Sequence, residues 1–320
     1  MLVWVLALGL AVGTTAATAE GAKVKSLKVT VLSTMLAEGD ELGEWGFAAL
    51  VEADGRKILF DTGAKTDVVL RNAQTLKIDL GDVPDVVLSH WHSDHVGGFI
   101  TLRKEVMSKT PAALARTHVG AGIFQPRFGG PPNVDINPLS SRLKGEYEAT
   151  GGKFVEHAKP VQLWPGVWLT GPVPRKHSER NWSGSAKIKD ADGKLVGDTI
   201  ADDMALVVDT AEGLVIVTGC GHAGVVNIAE HARATVRPAR VHALIGGIHL
   251  FNAKDETLAW TTGKLREFGV DNFIGAHCTG IETVYRFRAD LRLARAKCVV
   301  GAVGQTFELG KGIDPLEIAK

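Results

Sequence analysis

The stretch LSHWHSDHVGG, at residues 88–98, is the sequence feature that restricts the possible folds of this chain most strongly. It places His90, His92, Asp94 and His95 directly after DVVLS, an apolar run that is typical of a buried strand. If the backbone stays extended there, side chains two positions apart point the same way, so the first two imidazoles would bind one ion. A turn would then present Asp94 and His95 to a second position close by. The pattern predicts a metal site at a strand end; the alternative is a set of surface or capping histidines.

The rest of the chain alternates predicted strands with predicted helices, which indicates an α/β fold. In the first half, β-branched runs predict strands at 26–34, 47–53, 57–63 and 84–90, and helical periodicity covers 65–78 and 97–109. A second block has predicted strands near 204–209, 213–218, 241–246, 272–275 and 297–303, with helices near 223–236, 255–268 and 281–296. The middle, from about 120 to 200, is irregular, and its stretches FGGPPNVDINP and DADGKLVGD are rich in Gly, Pro, Asp and Asn and are expected to form loops.

The N-terminus has the pattern of a signal peptide over residues 1–19. An apolar run, Leu2 to Val12, precedes the A-x-A sequence Ala17-Thr18-Ala19. This run is too short to be a permanent membrane anchor. The alternatives are an uncleaved anchor and a start codon assigned too early. We therefore expect an exported protein, periplasmic or secreted, whose domain covers residues 20–320.

The balance of charges indicates which kinds of partner the protein can bind, and the positions of the cysteines indicate whether they form disulfides or belong to the site. Lys and Arg together number 36, as do Asp and Glu, so no bulk field favours nucleic acid or an anionic membrane, and a small-molecule substrate is expected. The three cysteines have no short spacing and do not make a disulfide framework. Cys220 and Cys278 each lie beside a histidine in a glycine-containing turn, which favours a role in the site.

Several motifs resemble those of a known family. The H-x-H-x-D-H pattern is similar to the signature of the metallo-β-lactamase superfamily, and ILFDTG resembles its first motif, in which Asp61 would be the buried acid that orients the loop. One branch is resembled more narrowly, the 7,8-dihydropterin-6-methyl-4-(β-D-ribofuranosyl)aminobenzene-5'-phosphate synthase-like metallohydrolases. Its motifs correspond to LGEWG with Glu44 and Gly46, GPVPR with Glu179, TGCGHAGVVNI (218–228), GGIHL (246–250) and AHCTG (276–280).

The resemblance implies a four-layer αββα sandwich with metals in a cleft at the strand ends. It implies that His90 and His92 hold the first metal, and that Asp94 and His95 hold the second together with a late histidine. His277 is the preferred late ligand, because GAHCTG follows a predicted strand. The alternative is His249, which would otherwise line the pocket and act on the substrate.

The remaining ligand of the first metal is expected to be His222, which emerges at a strand end. Cys220 lies near the position where many superfamily members carry a bridging acid or a thiolate. A thiolate binds zinc readily, but the role of a small buried residue in a tight turn is slightly preferred for Cys220 over coordination. Arg175 would hold an anionic part of the substrate, or else form a surface salt bridge.

Two divalent ions, zinc by preference and otherwise manganese or iron, would lower the pKa of water from near 16 to about 7. The prediction is a hydrolase for an ester, phosphoester, lactone or amide, with Asp94 as both ligand and orienter of the nucleophile. Two alternatives remain: a mononuclear or di-iron redox enzyme on the same fold, and a non-catalytic protein that binds a ligand through its metal.

Overall fold

The strands form where β-branched and other apolar residues are dense. In this computed structural model, which describes residues 21–130, 134–179, 181 and 184–319, the strands are β1 (Leu27–Ser33), β2 (Ala48–Ala53), β3 (Arg56–Phe60), β4 (Asp85–Leu88), β5 (Arg116–Gly120), β6 (Lys153–His157), β7 (Val161–Trp164), β8 (Val167–Leu169), β9 (Lys187–Lys189), β10 (Leu195–Gly197), β11 (Leu206–Thr210), β12 (Gly213–Thr218), β13 (Val241–Gly246), β14 (Phe273–Gly275), β15 (Cys298–Val300), β16 (Thr306–Glu308) and β17 (Gly312–Asp314). The predicted signal peptide, 1–19, lies outside the described residues.

The helices are α1 (Val68–Thr75), α2 (Ser93–Val96), α3 (Phe99–Met107), α4 (Lys144–Glu148), α5 (Val225–Thr235), α6 (Asp255–Glu267), α7 (Ile281–Asp290) and α8 (Leu316–Ala319). Helices α1, α3, α5, α6 and α7 are shorter than the segments that predicted them, and the short helices α2, α4 and α8 were not predicted. Within the described ranges, no helix has both the length and the apolar character needed to cross a bilayer.

Two large sheets carry most of the strands. One has the order β17-β16-β1-β2-β3-β4-β5-β6, and the other has the order β15-β14-β13-β12-β11-β8-β7. Strands β3 to β6 are parallel, as are β12 to β15. Because the carboxyl ends of parallel strands meet at one edge of a sheet, the loops that follow these strands can converge.

The core is divided among three interfaces between four layers. Apolar side chains of both sheets, such as Val51 and Val217, pack against each other in the middle. Helices α5 to α7 cover the outer face of one sheet, and α1, α3 and α4 cover that of the other. Neighbouring residues in a strand face opposite layers: Leu50 packs on helices while Val51 packs on the facing sheet. The predicted four-layer αββα sandwich is therefore confirmed.

The middle of the chain, 120–200, is more regular than the sequence predicted. Strands β6, β7 and β8 lie there and extend the edges of the two sheets, and β9 and β10 form a separate hairpin. Strands β6 and β7 have no fully buried residue and therefore lack the apolar runs that mark a central strand. Strand β5 and the C-terminal pair β16 and β17 were also not anticipated, and the latter pair is only three residues long per strand.

Close approach of the strand ends depends on glycine. Gly246, the last residue of β13, has φ of +117°, and a Cβ atom there would lie 2.0 Å from the carbonyl oxygen of Thr218. A Cβ at Gly97 would lie 1.9 Å from the carbonyl oxygen of Ala64. Residues with side chains cannot occupy such positions without moving the backbone, so these glycines let the loops around the site pack closely.

Candidate metal centre

The histidines predicted as ligands converge from four loops that follow parallel strands. His90 to His95 follow β4, Cys220 and His222 follow β12, His249 follows β13, and His277 follows β14. The side chains of His90, His95, His222 and His277 are all buried. Ligand atoms of His90, His92 and His222 lie within 4.8 Å of one another, and so do those of Asp94, His95 and His277. These are the two ligand sets that the sequence predicted.

The first set, His90, His92 and His222, leaves two buried nitrogens unpaired. His222 donates from Nδ1 to the carbonyl oxygen of Asn181 at 2.6 Å, and Nδ1 of His90 lies 2.9 Å from the hydroxyl of Ser89. The Nε2 atoms of His90 and His222 have no hydrogen-bond partner among the described residues. A buried unpaired nitrogen is costly, and a metal ion would remove that cost.

The same burial keeps the first set in its ligand form. Burial lowers the pKa of His90 and His222 well below the usual value, and nearby imidazoles lower them further. Burial lowers the pKa of His92 to about 4. The three rings are therefore neutral at pH 7, as metal coordination requires.

Asp61 orients the second set through His95. Its buried carboxylate accepts hydrogen bonds from the backbone N–H and the hydroxyl of Ser89, each at 2.7 Å, and from Nδ1 of His95 at 2.7 Å. The proton on Nδ1 leaves Nε2 of His95 available to a ligand. Burial opposes the charged ring, but the Asp61 and Asp94 carboxylates outweigh it and raise the pKa of His95 to about 9.

The carboxylate of Asp94 lies between two imidazoles. Its Oδ2 is 3.3 Å from Nε2 of His277, and its Oδ1 is 4.0 Å from Nε2 of His95. Burial raises the pKa of Asp94, but these two rings lower it more, so the net value is well below the usual range. The backbone N–H of His277 donates to the hydroxyl of Thr34 at 3.0 Å, which fixes the start of this loop.

Cys220 lies between the two sets. Its Sγ is 3.1 Å from Nε2 of His95 and 3.3 Å from Sγ of Cys278. Of the five groups of potential ligands found among the described residues, three contain Cys220: one with His90 and His95, one with His222 and His249, and one with His277 and Cys278. The thiol of Cys220 therefore lies close enough to members of both predicted ligand sets to act as a ligand with either set.

His249 and Arg175 occupy different surroundings from the second set. The His249 ring centroid is 4.7 Å from that of His222, and His249 lines a cavity of about 560 Å³. His277, not His249, therefore shares the group with Asp94 and His95. Arg175 donates to the carbonyl oxygens of His222, at 2.6 Å, and Thr199, so its guanidinium supports the backbone of a predicted ligand. A role of Arg175 in substrate binding stays a prediction.

Three residues of the site have a strained backbone conformation. Asp61, His249 and His277 all have positive φ, of 58°, 49° and 48°. Residues other than glycine rarely adopt this conformation, and it persists where the surrounding structure enforces it, which is common at functional sites.

Sequence reasoning did not assign a role to several residues of the site. The thiol of Cys278 donates a hydrogen bond to Sγ of Cys220, and the sequence marked Cys278 only by its position in the turn AHCTG. Asn181 and Ser89 act through hydrogen bonds to ligands, and no motif marks them. The aromatic residues Trp45 and Phe251, beside His277 and His249, were also missed.

Comparison with known proteins decides the family. The profile of the Metallo-beta-lactamase superfamily matches residues 46–109. The chain is 30% identical over 253 residues to the 7,8-dihydropterin-6-methyl-4-(beta-D-ribofuranosyl)-aminobenzene-5'-phosphate synthase of Methanocaldococcus jannaschii, covering 77% of this chain and 84% of that protein. The chain belongs to the metallo-β-lactamase superfamily. This confirms the relationship, including the branch, that the motifs predicted.

Solved structures of the superfamily agree. Tm1679, described as a metal-dependent hydrolase of the beta-lactamase superfamily, is 27% identical with a TM-score of 0.70, over 88% of this chain and 99% of that one. Zn(2+)-bound PqqB from Methylobacterium extorquens is 16% identical with a TM-score of 0.51, over 88% of this chain and all of that one, and it supports the fold alone. Superfamily membership and the donor groups together indicate a metal-dependent, hydrolase-like protein.

Proposed function

We propose that this chain is a hydrolase that uses two divalent metal ions, zinc by preference, to cleave an ester, lactone, amide or phosphoester bond of a small molecule. The observation that carries the proposal is the pair of adjacent ligand sets, one of which leaves two buried Nε2 atoms without a hydrogen-bond partner among the described residues. Imidazole with an optional thiolate is the donor chemistry that zinc favours.

In this proposal, individual residues have separate catalytic roles. Bound divalent ions lower the pKa of water to about 7 and stabilise the negative charge that develops on the substrate. Asp94 stays a carboxylate at neutral pH, so it accepts a hydrogen bond from the attacking water and orients it. Asp61 holds His95 in the tautomer that exposes Nε2. His249, which lines the cavity, would donate a proton to the leaving group.

Metal loading combined with a substrate panel tests the proposal. Metal-free protein would be loaded with zinc, analysed for metal content, and assayed on 4-nitrophenyl acetate, an acyl lactone and bis(4-nitrophenyl) phosphate. We expect two equivalents of zinc and turnover of at least one substrate. His92→Ala should reduce that turnover by more than about 100-fold, because even the loss of a residue that only supports a metal ligand costs 10–100-fold.

The matched control is His157→Ala. His157 is the last residue of β6, stacks on His118, and lines a separate cavity with Arg56 that none of the predicted ligands lines. It should leave turnover unchanged. A protein that stays metal-free in excess zinc, or turnover that survives His92→Ala, would overturn the proposal. Purification with iron and consumption of dioxygen would support the redox alternative, and metal binding without turnover would support the ligand-binding alternative.

A second candidate is group transfer, which is favoured by the name of the Methanocaldococcus jannaschii relative, a synthase. The same site would then pass the electrophilic group to an alcohol or amine and not to water. Product analysis in the presence of a small primary amine separates the two: hydrolysis yields the free acid, and transfer yields the amide.

We also propose that residues 1–19 direct export. The support is the apolar run Leu2 to Val12 followed by Ala17-Thr18-Ala19. Mass spectrometry of the mature protein should find Glu20 at the N-terminus, and a mass that includes Met1 would contradict the proposal.

A further inference from the structure

Two large aromatic side chains lie exposed at the mouth of the metal centre. Trp45 is 48% exposed and Phe251 is 43% exposed. Their rings meet edge to face, with centroids 5.7 Å apart and an interplanar angle of 84°. The Trp45 ring is 5.0 Å from that of His277, and the Phe251 ring is 5.3 Å from that of His249. Apolar surface so placed does not contribute to the core, and it adjoins His277 of the second ligand set and the cavity residue His249.

Trp45 is held in place by its neighbours in the chain. The buried carboxylate of Glu44 accepts hydrogen bonds from the hydroxyl of Ser33 at 2.7 Å, and from the backbone N–H groups of Ala64 at 3.1 Å and Lys65 at 2.7 Å. The backbone N–H of Phe47 donates to the carbonyl oxygen of Asp94 at 3.3 Å. Trp45 therefore has a position fixed relative to the second ligand set.

Phe251 is equally well anchored. Its backbone N–H donates to the carbonyl oxygen of Cys278 at 3.2 Å, and the hydroxyl of Thr283 donates to the carbonyl oxygen of Leu250 at 3.0 Å. Gly280, with φ of +87°, packs so closely that a Cβ there would lie 2.6 Å from Cα of Phe251. Rigid aromatic rings bind a flat partner without losing side-chain freedom, which favours affinity.

The cavity beside these rings has the charge character of a site for uncharged groups. It extends from His249 and Leu250 to the exposed ring of Trp260, and its volume is about 560 Å³. Its described lining contains the carboxylates of Glu179 and Glu256 but no lysine or arginine. An anionic substituent would meet these carboxylates without a compensating cation, and it is therefore disfavoured.

We propose that Trp45 and Phe251, whose rings touch, form one aromatic surface, called here the aromatic clamp, that selects substrates with a flat, uncharged aromatic or apolar group next to the bond that is cleaved. The substrate class is then an aromatic or apolar ester, lactone or amide, and a polyanionic phosphate is excluded from the cavity. This inference rests on the proposed function, because it specifies the substrate of that same site.

Equilibrium binding of metal-chelating probes tests the clamp without measuring turnover. The zinc-loaded protein would be titrated calorimetrically with acetohydroxamic acid, benzohydroxamic acid and 4-carboxybenzohydroxamic acid. Each additional aromatic contact is worth roughly 2- to 10-fold in affinity, so benzohydroxamic acid should bind about tenfold more tightly than acetohydroxamic acid. The 4-carboxy group should reduce that advantage.

The variants separate a clamp from a structural role. Trp45→Leu and Phe251→Leu should each weaken binding of benzohydroxamic acid several-fold and leave acetohydroxamic acid unaffected, and Trp45→Phe should restore part of the loss. Trp164→Leu is the matched control, because Trp164 lies in a separate cavity lined by Arg56 and His157. It should change neither affinity.

The outcomes are distinguishable from those that concern the proposed function. If acetohydroxamic and benzohydroxamic acids bind with equal affinity, or if the clamp variants weaken both equally, the clamp is refuted while the metal centre stands. If neither acetohydroxamic acid nor benzohydroxamic acid binds the zinc-loaded protein, the proposed function and the clamp are both overturned.

Discussion

Replacement of Asp61 by asparagine tests how the second ligand set is oriented. The carboxylate of Asp61 is fully buried and accepts three hydrogen bonds of 2.7 Å, two from Ser89 and one from Nδ1 of His95. Asparagine keeps one acceptor oxygen and replaces the other with an NH₂ donor. If that donor faces His95, the ring must carry its proton on Nε2, the atom that a metal requires. We therefore expect the second ion, and not the first, to bind more weakly.

The structure bounds the size of this effect. A hydrogen bond to a charged group contributes about 1.5–3 kcal/mol, which corresponds to roughly 10- to 150-fold in an equilibrium constant. Loss of a carboxylate partner of a metal-binding histidine typically costs 10–100-fold in metal affinity. Titration of metal-free protein with zinc, in competition with a chromophoric chelator, should show one equivalent bound as in the unmodified chain and a second weakened by about this factor.

Asp85→Asn is the matched control. Asp85 is also buried and lies 3.2 Å from a histidine nitrogen, Nε2 of His118, but it begins β4 whereas the metal centre follows the end of that strand. It should lower folding stability and leave both zinc affinities unchanged. Unchanged binding of two equivalents by Asp61→Asn would refute the reasoning, as would equal weakening by the control.

Two further predictions concern pH and the glycine at the end of β13. The pKa of His95 is about 9 without metal, and metal binding at Nε2 displaces the proton of that atom. The affinity for the second ion should therefore rise by about tenfold per pH unit between pH 7 and 9 and then level off. Zinc titrations across this pH range test the prediction, and an affinity that does not change with pH contradicts it. Gly246→Ala should lower the free energy of unfolding by about 2–4 kcal/mol, because the new Cβ would meet the carbonyl oxygen of Thr218 at 2.0 Å, whereas Gly263→Ala, in α6 with open space around it, should raise stability by about 0.5–1 kcal/mol in the same denaturant titration.

The similarity to known relatives is strong evidence for the fold of the chain but weak evidence for its substrate. The fold and the superfamily rest on agreement along most of the chain. The bond that such a hydrolase would cleave depends instead on a few side chains near the candidate metal centre, such as Trp45 beside His277 and Glu256 in the cavity, which lie outside the shared metal motif. Substrate is therefore better approached through binding of defined probes than through the names of relatives.

Residue patterns along the chain predicted the family, the four-layer architecture and the first-half portion of the candidate site, whereas metal binding by these residues stays a prediction. The reason is that these depend on local patterns: the spacing of His90, His92, Asp94 and His95 after a buried strand, and the alternation of apolar strands with helices. The edge strands β6 and β7 escaped prediction because they are short and half exposed, so pairing with their neighbours and not apolar density defines them.

The contacts between segments that are far apart in the sequence became known only from the tertiary structure. It placed His277 with Asp94, brought Cys278 to Cys220 across 58 residues of sequence, and directed Arg175 to the backbone of His222. It also placed Trp45 and Phe251 side by side above the ligands. Each of these contacts depends on the register of strands and on loop conformations enforced from outside the loop, such as the positive φ of His277, and no local pattern of residues specifies them.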